Sequence, residues 1–477
     1  MSTCSATRHD LYDHASAIRA IHFPKDFDDL KKGRDRLVFE EFYTFLKKLC
    51  ELRENEVSYP NNFEFCDETR VLNFLSKLPY TLTGAQKRTL REILNDMRGE
   101  NVSYRLIQGD VGSGKTIVAF LAMVYAALSG YSALMMAPTS VLALQHYETF
   151  LSWIKLFGPE CDIEIVILTA RSKNKSALKK KIASEKGLII VGTQALISDG
   201  TEIDTPAIVI TDEQHRFGVM QRERLALKGT HPHELAMSAT PIPRSLAMIL
   251  YAGVNVSIID EMPENRLPIK SFVADESYRV STYRFINKEI ESGRQVYVIC
   301  PLVEPSEDMD LKDVETETEM LRAVFPGLRI EGLNGRMPQD KKDEIMSSFA
   351  AGETDILVST TVVEVGINVP NATFMLIENS ERFGLATLHQ LRGRVGRGEF
   401  QSYCVFMTGK NADTERLKIM GESDNGFEIA DYDLSKRGPG DFFGIRQSGE
   451  IGFKLADIYQ DAGILRAAAE EVKGSDI

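Results

Sequence analysis

Short runs of β-branched and other apolar residues recur along the middle of the chain. They are "SALMMAP" (132–138), "IEIVILT" (163–169), "GLIIVGT" (187–193), "AIVITDE" (207–213) and "ELAMSAT" (234–240). Segments with helical spacing, such as "SVLALQHYETFLSWIKLF", lie between them. Strands that are apolar at nearly every position and alternate with helices predict a parallel, doubly wound α/β sheet buried on both faces. The acidic, proline-containing "DEMPENRLP" (260–268) interrupts the pattern. A second series follows: "QVYVICP" (295–301), "RIEGLNG" (329–335), "DILVSTT" (355–361), "FMLIENS" (374–380) and "SYCVFMT" (402–408). Two α/β lobes are expected, joined near residue 263. Residues 1–80 read as helical, with Leu37, Phe42, Phe45, Leu46 and Leu49 on one face, until "SYPNN" (58–62) breaks the pattern.

Charge and cysteine usage narrow the classes. The 477 residues include 56 basic and 69 acidic ones, a net charge of −13, so nucleic-acid contact must come from local patches. The six cysteines are scattered without a CxxC pair, which fits neither a disulfide framework nor a zinc site and points to a reducing compartment. The apolar run "IVAFLAMVYAAL" (117–128) is too short to span a bilayer, and the N-terminus shows no signal-peptide pattern. A cytoplasmic protein with no membrane partner is expected. "RSKNKSALKKKIASEK" (171–186) holds seven basic residues and one acidic, and reads either as a solvated helix face or as a phosphate-tracking patch. "EPSEDMDLKDVETETE" (304–319) reads as an exposed acidic insertion.

The strongest chemical signal is "GDVGSGKT" (109–116), which satisfies G-x-x-x-x-G-K-[ST] between the strand-like "YRLIQ" and a long apolar helix. Chance supplies this pattern about 0.02 times in a chain this long. Backbone N–H groups of Gly109, Asp110, Val111, Gly112, Ser113 and Gly114 would cradle phosphates, Lys115 would reach the β and γ phosphates, and Thr116 would hold Mg²⁺. Asp212 and Glu213 end a strand about 100 residues later. There the first carboxylate can hold Mg²⁺ and the second can orient or deprotonate a water. His215 follows as either a coupling residue or a buried, hydrogen-bonded one. In the second lobe, "HQLRGRVGRG" (389–398) offers Arg392, Arg394 and Arg397 among glycines, the last two placed to stabilise charge on a transferring phosphoryl group.

Taken in order, "GDVGSGKT", "MAPTSVLALQH", "VGTQAL", "DEQHRFGVMQR", "MSATPIPRSLA", "STTVVEVGINVPNA" and "QLRGRVGRG" resemble the motifs of superfamily 2 helicases. "DEQHRFGV", "ERFGLATLHQLRGRVGRG" and "DLSKRGPGDFFGIRQSG" resemble the RecG family more narrowly, from about residue 18 to 465. The resemblance implies two tandem RecA-like P-loop NTPase lobes, with ATP and Mg²⁺ as cofactors. The expected division is a helical segment at 1–80, an ATP-binding lobe at 81–262, a C-terminal helicase lobe at 263–420 and a hook-like extension at 421–477. The expected activity is an ATP-dependent DNA helicase or translocase that remodels branched DNA, such as forks and Holliday junctions, in bacterial repair and recombination. A transcription-repair coupling translocase and a non-hydrolysing, nucleotide-gated DNA clamp are the alternatives.

The resemblance makes Gln86 the adenine reader. It makes His215, Ser238, Thr240, Gln390, Arg437, Arg446 and Gln447 coupling residues. It assigns DNA contacts to Pro138, Thr139, Gly192, Thr193, Thr360 and Thr361. It also implies a monomer and single-stranded DNA-binding protein as a partner. Asn368, where many relatives carry Asp, and Lys436, before "RGPG", depart from the family pattern. The wedge domain that precedes the motor in RecG proteins has no counterpart here, so the chain is expected to be a fragment or a natural short form. In "SKRGPGDFFGIRQSG" (435–449) the glycines and proline allow a sharp bend, two phenylalanines an anchor, and Arg437, Arg446 and Gln447 polar contacts to a neighbouring element.

Overall fold

The computed structural model describes residues 11–54, 59–158, 162–170, 172–198, 201–213, 231–239, 255–263, 266–301, 313–361, 369–409, 414–437, 453–457 and 461–474. They group into two compact units. One holds the N-terminal helices with the C-terminal one, and the other runs over 59–241 and 256–429 and contains both sheets.

Among the described residues the first sheet has seven strands: β1 Tyr104–Gly109, β2 Ser132–Met136, β3 Ile165–Leu168, β4 Ile189–Gly192, β5 Pro206–Thr211, β6 His233–Ser238 and β7 Asn255–Ile259. Their order is β3-β4-β2-β5-β6-β1-β7, and the pairs from β3 through β1 are parallel. The near-continuous apolar character of these strands has its reason in two covered faces. Ala133, Met135, Ile189, Val191, Ile208 and Ile210 enter one core, while the alternate residues Leu134, Met136, Ile190 and Val209 enter another on the opposite face. The helix Lys115–Leu128 is buried continuously from Ile117 to Ala127. That is why its sequence is apolar all round, and it is a central core helix.

The second sheet has six described strands: β8 Lys270–Asp275, β9 Gln295–Ile299, β10 Ile330–Leu333, β11 Ile356–Ser359, β12 Ala372–Ile377 and β13 Tyr403–Thr408, in the order β10-β11-β9-β12-β13-β8. Every pairing is parallel. Tandem doubly wound parallel sheets are thus the architecture. Parallel strands place all their carboxyl ends on one edge, where sites on such sheets form.

The strand runs expected from the sequence are all present, and β7 and β8 are additional. Both lie at sheet edges and show mixed burial, so they lack the continuous apolar run that marks central strands. Phe63, Val71, Phe74 and Leu78 pack into the core of the first sheet, so residues 59–80 belong to that lobe and not to the helical segment before it.

In the other unit, the helices His14–His22, Phe27–Glu54 and Ala462–Gly474 pack together. Val38, Phe39, Phe42 and Leu46 meet Leu465, Ala468 and Val472. The buried stripe therefore runs through Val38 and Phe39, and Leu37 is left half-buried beside it. The two ends are also tied by polar contacts. Arg34 makes a bidentate pair with Asp461 at 2.6 and 2.9 Å, and the Glu41 carboxylate accepts from the N–H groups of Leu455 and Ala456 at 3.0 and 2.9 Å.

Candidate nucleotide site

β1 ends in a turn where Gly112 and Gly114 both have φ of +83°, the left-handed region that glycine enters without strain. Gly114 caps the helix Lys115–Leu128. A glycine turn running into a helix N-terminus suits an anion. The turn is tied from within and from the side. Lys115 Nζ donates to the carbonyl oxygens of Gly109 and Asp110 at 2.7 and 2.9 Å, and the Ser113 N–H donates to the Asp110 carbonyl at 3.1 Å. Gln86 stands in the capping box of the helix Gly84–Met97. Its Oε1 accepts from the Thr83 N–H at 2.9 Å, and its Nε2 donates to the Ser113 carbonyl at 2.8 Å. The amide expected to read a base therefore holds the turn here.

A cavity of about 480 Å³ opens on this turn. Val111, Gly112, Gly114, Lys115 and Thr116 line it, together with Asp212 and Glu213 from the end of β5. His146 and Trp153 come from the helix Ser140–Ile154, and Arg266, Arg394 and Arg397 complete the wall. Four cationic side chains thus face two carboxylates, an excess that suits a polyanion. Burial, together with Arg394 and Arg266, pushes Arg397 down to about 9. Burial also lowers Lys115, against the opposing pull of Glu213, Asp110 and Asp212.

Burial raises the Asp212 carboxyl, but the hydrogen bond from His146 (Nε2 to Oδ2, 2.9 Å), the His146 ring and Lys115 outweigh it and hold the group below the usual carboxylate range. Glu213 has φ of +52°, a conformation that non-glycine residues adopt rarely and that recurs at functional sites. Among the described residues no group of three or more His, Cys, Asp or Glu could hold a metal. Thr116 and Asp212 offer one hydroxyl and one carboxylate to the same cavity. That donor set fits Mg²⁺, which keeps several waters and shares phosphate oxygens.

The other expected site residues fall into three groups. Ser238 is the buried last residue of β6, and Gln390 is buried in the helix Leu385–Arg392. Pro138–Thr139, Gly192–Thr193 and Thr360–Thr361 stand at the carboxyl ends of β2, β4 and β11. Thr139 caps the following helix by accepting from the Leu142 N–H at 3.3 Å. His215, Thr240, Arg446, Gln447 and the side chain of Arg437 lie outside the described residues. Arg392 does not line this cavity. It is buried, donates to the carbonyl oxygens of Met420 and Ser423 at 2.9 Å each, and pairs with Asp424 at 3.2 Å.

Sequence reasoning passed over His146, Arg266 and His389. The first closes "MAPTSVLALQH", the second is the single basic residue of "DEMPENRLP", and the third opens "HQLRGRVGRG". Each has its partner far away along the chain, where no local pattern marks it.

Comparison with known proteins agrees with this geometry. The family model "DEAD/DEAH box helicase" matches residues 83–249, "Helicase conserved C-terminal domain" matches 281–399, and "ATP-dependent DNA helicase RecG, domain 3, C-terminal" matches 423–476. The ATP-dependent DNA helicase RecG of Bacillus subtilis is 44% identical over 470 residues, covering 97% of this chain and 68% of the relative. That of Thermotoga maritima is 42% identical, covering 97% of this chain and 59% of the relative. A structure of RecG bound to a three-way DNA junction superposes with a TM-score of 0.73 at 38% identity, over 98% of this chain and 61% of that one. The Mycobacterium smegmatis helicase Lhr bound to ssDNA and AMP-PNP shares the fold, with a TM-score of 0.55 at 17% identity over 78% of this chain and 50% of that one. The chain spans roughly six- to seven-tenths of the RecG proteins it matches here.

Proposed function

The chain belongs to the RecG family of ATP-dependent DNA helicases, and from that premise we propose that it is an ATP-driven DNA translocase that remodels branched DNA in repair and recombination. The observation that carries the reading is the single cavity in which the P-loop and Asp212–Glu213 of one lobe meet Arg394 and Arg397 of the other. Charge that develops on a transferring phosphoryl group is best stabilised by such a fixed cationic set.

In this reading Lys115 exchanges its carbonyl acceptors for the β and γ phosphates. Thr116 and Asp212 hold Mg²⁺, which when bound neutralises phosphate charge. Glu213 orients or deprotonates the attacking water, and Arg394 and Arg397 stabilise the γ-phosphoryl group. Ser238 and Gln390, with His215, Thr240, Arg437, Arg446 and Gln447, couple turnover to movement. The threonine-bearing strand ends grip DNA phosphates. The boundary between the lobes near residue 263, the bacterial cytoplasm, a monomeric state and a single-stranded DNA-binding partner belong to the same proposal. Among the described residues no helix is long and apolar enough to cross a membrane.

Branched DNA as substrate follows from the RecG relative seen on a three-way junction. Hydrolysis is favoured over a passive clamp because Glu213 and both arginines line the cavity beside Lys115. The test is a pair of variants. Lys115→Ala is expected to abolish nucleotide binding, read by emission of Trp153, the only tryptophan in the chain and part of the cavity wall. Glu213→Gln is expected to bind ATP normally and to lose DNA-stimulated hydrolysis by roughly a hundredfold or more. Hydrolysis at the parental rate by Glu213→Gln would falsify the catalytic assignment.

A further inference from the structure

Asp110, the second residue of the P-loop, is buried and its carboxylate is shared between the lobes. Oδ1 accepts from His389 Nε2 at 2.5 Å and from the Val111 N–H at 2.6 Å, and Oδ2 accepts from the N–H of Gly426 at 3.0 Å. His389 is also buried, in the helix Leu385–Arg392. Arg392 Nη2 donates to His389 Nδ1 at 2.8 Å. A guanidinium can only donate, so Nδ1 accepts and the ring proton sits on Nε2, facing Asp110. Arg392 is fixed in turn by the Met420 and Ser423 carbonyls and by Asp424. A buried chain of polar contacts thus runs from the phosphate turn to residues 420–426. Gly426 is the first residue of the helix Gly426–Arg437.

We propose that His389 is a positioning residue of the nucleotide site, holding the P-loop to the second lobe by donating to the Asp110 carboxylate beside the phosphate turn. Burial alone would raise the Asp110 carboxyl; the hydrogen bond from His389, then the N–H groups of Gly426 and Val111, hold it below its ordinary value. Without His389 a buried carboxylate loses its strongest donor. It then stands one residue from the glycine turn that receives phosphate, where it repels the ligand and loosens the loop. Through Gly426, the same carboxylate carries any shift of the P-loop to the start of the last helix before residues 438–452.

The inference rests on the nucleotide reading of the P-loop, and the experiment separates the two. Fluorescent ADP with Mg²⁺ is titrated against the whole chain. His389→Ala is expected to weaken binding roughly tenfold or more. His389→Gln, whose amide can donate to Asp110 and accept from Arg392, is expected to stay within about threefold of the parent. Adding Asp110→Asn to His389→Ala is expected to recover most of the loss, because the amide keeps an acceptor for Gly426 and removes the charge. A merely structural role would make the double variant the weakest of all.

Parental affinity in His389→Ala, or a double variant no tighter than His389→Ala, overturns the proposal. Should His389→Ala fail to fold, His389→Asn decides. Its shorter amide cannot bridge both partners, so the same tenfold loss is expected, and parental affinity overturns the proposal. A parent that binds no ADP overturns the nucleotide reading itself, and this inference with it.

Discussion

A β-carbon built on Gly393 would stand 2.9 Å from both Cβ and Cγ1 of Val111, well inside the contact distance of two carbons. The glycine between two arginines in "RGR" is therefore there because the second lobe's backbone lies directly against the P-loop. Val111 cannot retreat freely, since its own carbonyl accepts from Arg266 and its neighbour Asp110 is bonded to His389. Overpacking of this kind costs on the order of 1–3 kcal/mol. Gly393→Ala is accordingly expected to lower DNA-stimulated ATP hydrolysis roughly tenfold by pushing Arg394 off its position, with a drop of a few degrees in Tm. Steady-state ATPase and thermal melting on one preparation check this, and unchanged turnover would remove the close-approach argument.

At the scale of a strand, β6 begins with a histidine where its neighbours are apolar. His233 is 2% exposed among Phe63 and Phe65, and its Nδ1 accepts from the Ser103 N–H at 3.1 Å beside the start of β1. Burial pushes it down to about 4. The folded chain therefore holds a neutral ring where the unfolded chain, with an ordinary value near 6.5, binds a proton. The stability this contributes is complete above pH 6.5 and is lost as pH falls from there to about 4, on the order of 3 kcal/mol in all. His233→Gln should flatten the pH dependence of unfolding across that window, whatever it does to stability at neutral pH. Denaturant titrations at several pH values measure it, and an unchanged acid limb would place the titrating group elsewhere.

For the whole molecule, the strand ends assigned to DNA carry threonine hydroxyls and backbone, which grip phosphates without reading bases. The chain also covers only 61% of the RecG chain seen on a three-way junction. Binding by these 477 residues is expected to be tolerant of DNA structure and steeply weakened by salt, with a slope of about −0.9 per phosphate neutralised on duplex. Fork and plain duplex of equal length should stimulate ATPase within about threefold of each other. A many-fold preference for the fork would show that the two lobes and their extensions read the branch themselves. In the end-to-end unit, Arg34–Asp461 and Glu41 with the 455–456 backbone bring residues more than 400 positions apart into one cluster, a closure that local pattern cannot announce.

Period and punctuation by themselves determined the two parallel sheets, because strands buried on both faces must be apolar throughout and glycine must occupy the left-handed turn before Lys115. The same local signals located Lys115, Asp212 and Glu213, which strand ends and a glycine turn bring to one cavity. They could not show β7 and β8, whose edge positions carry no continuous apolar run, nor put Val38 and Phe39 in place of Leu37 on the buried face that Phe42 and Leu46 share. They singled out Arg394 and Arg397 but gave Arg392 no part of its own. The three share one basic loop in sequence, and only packing turns the first into a buried brace and the other two into cavity wall. His146, Arg266 and His389 acquire their meaning from partners 66, 155 and 279 residues away, and such pairing is decided by how the chain folds back, a long-range fact that no local pattern holds.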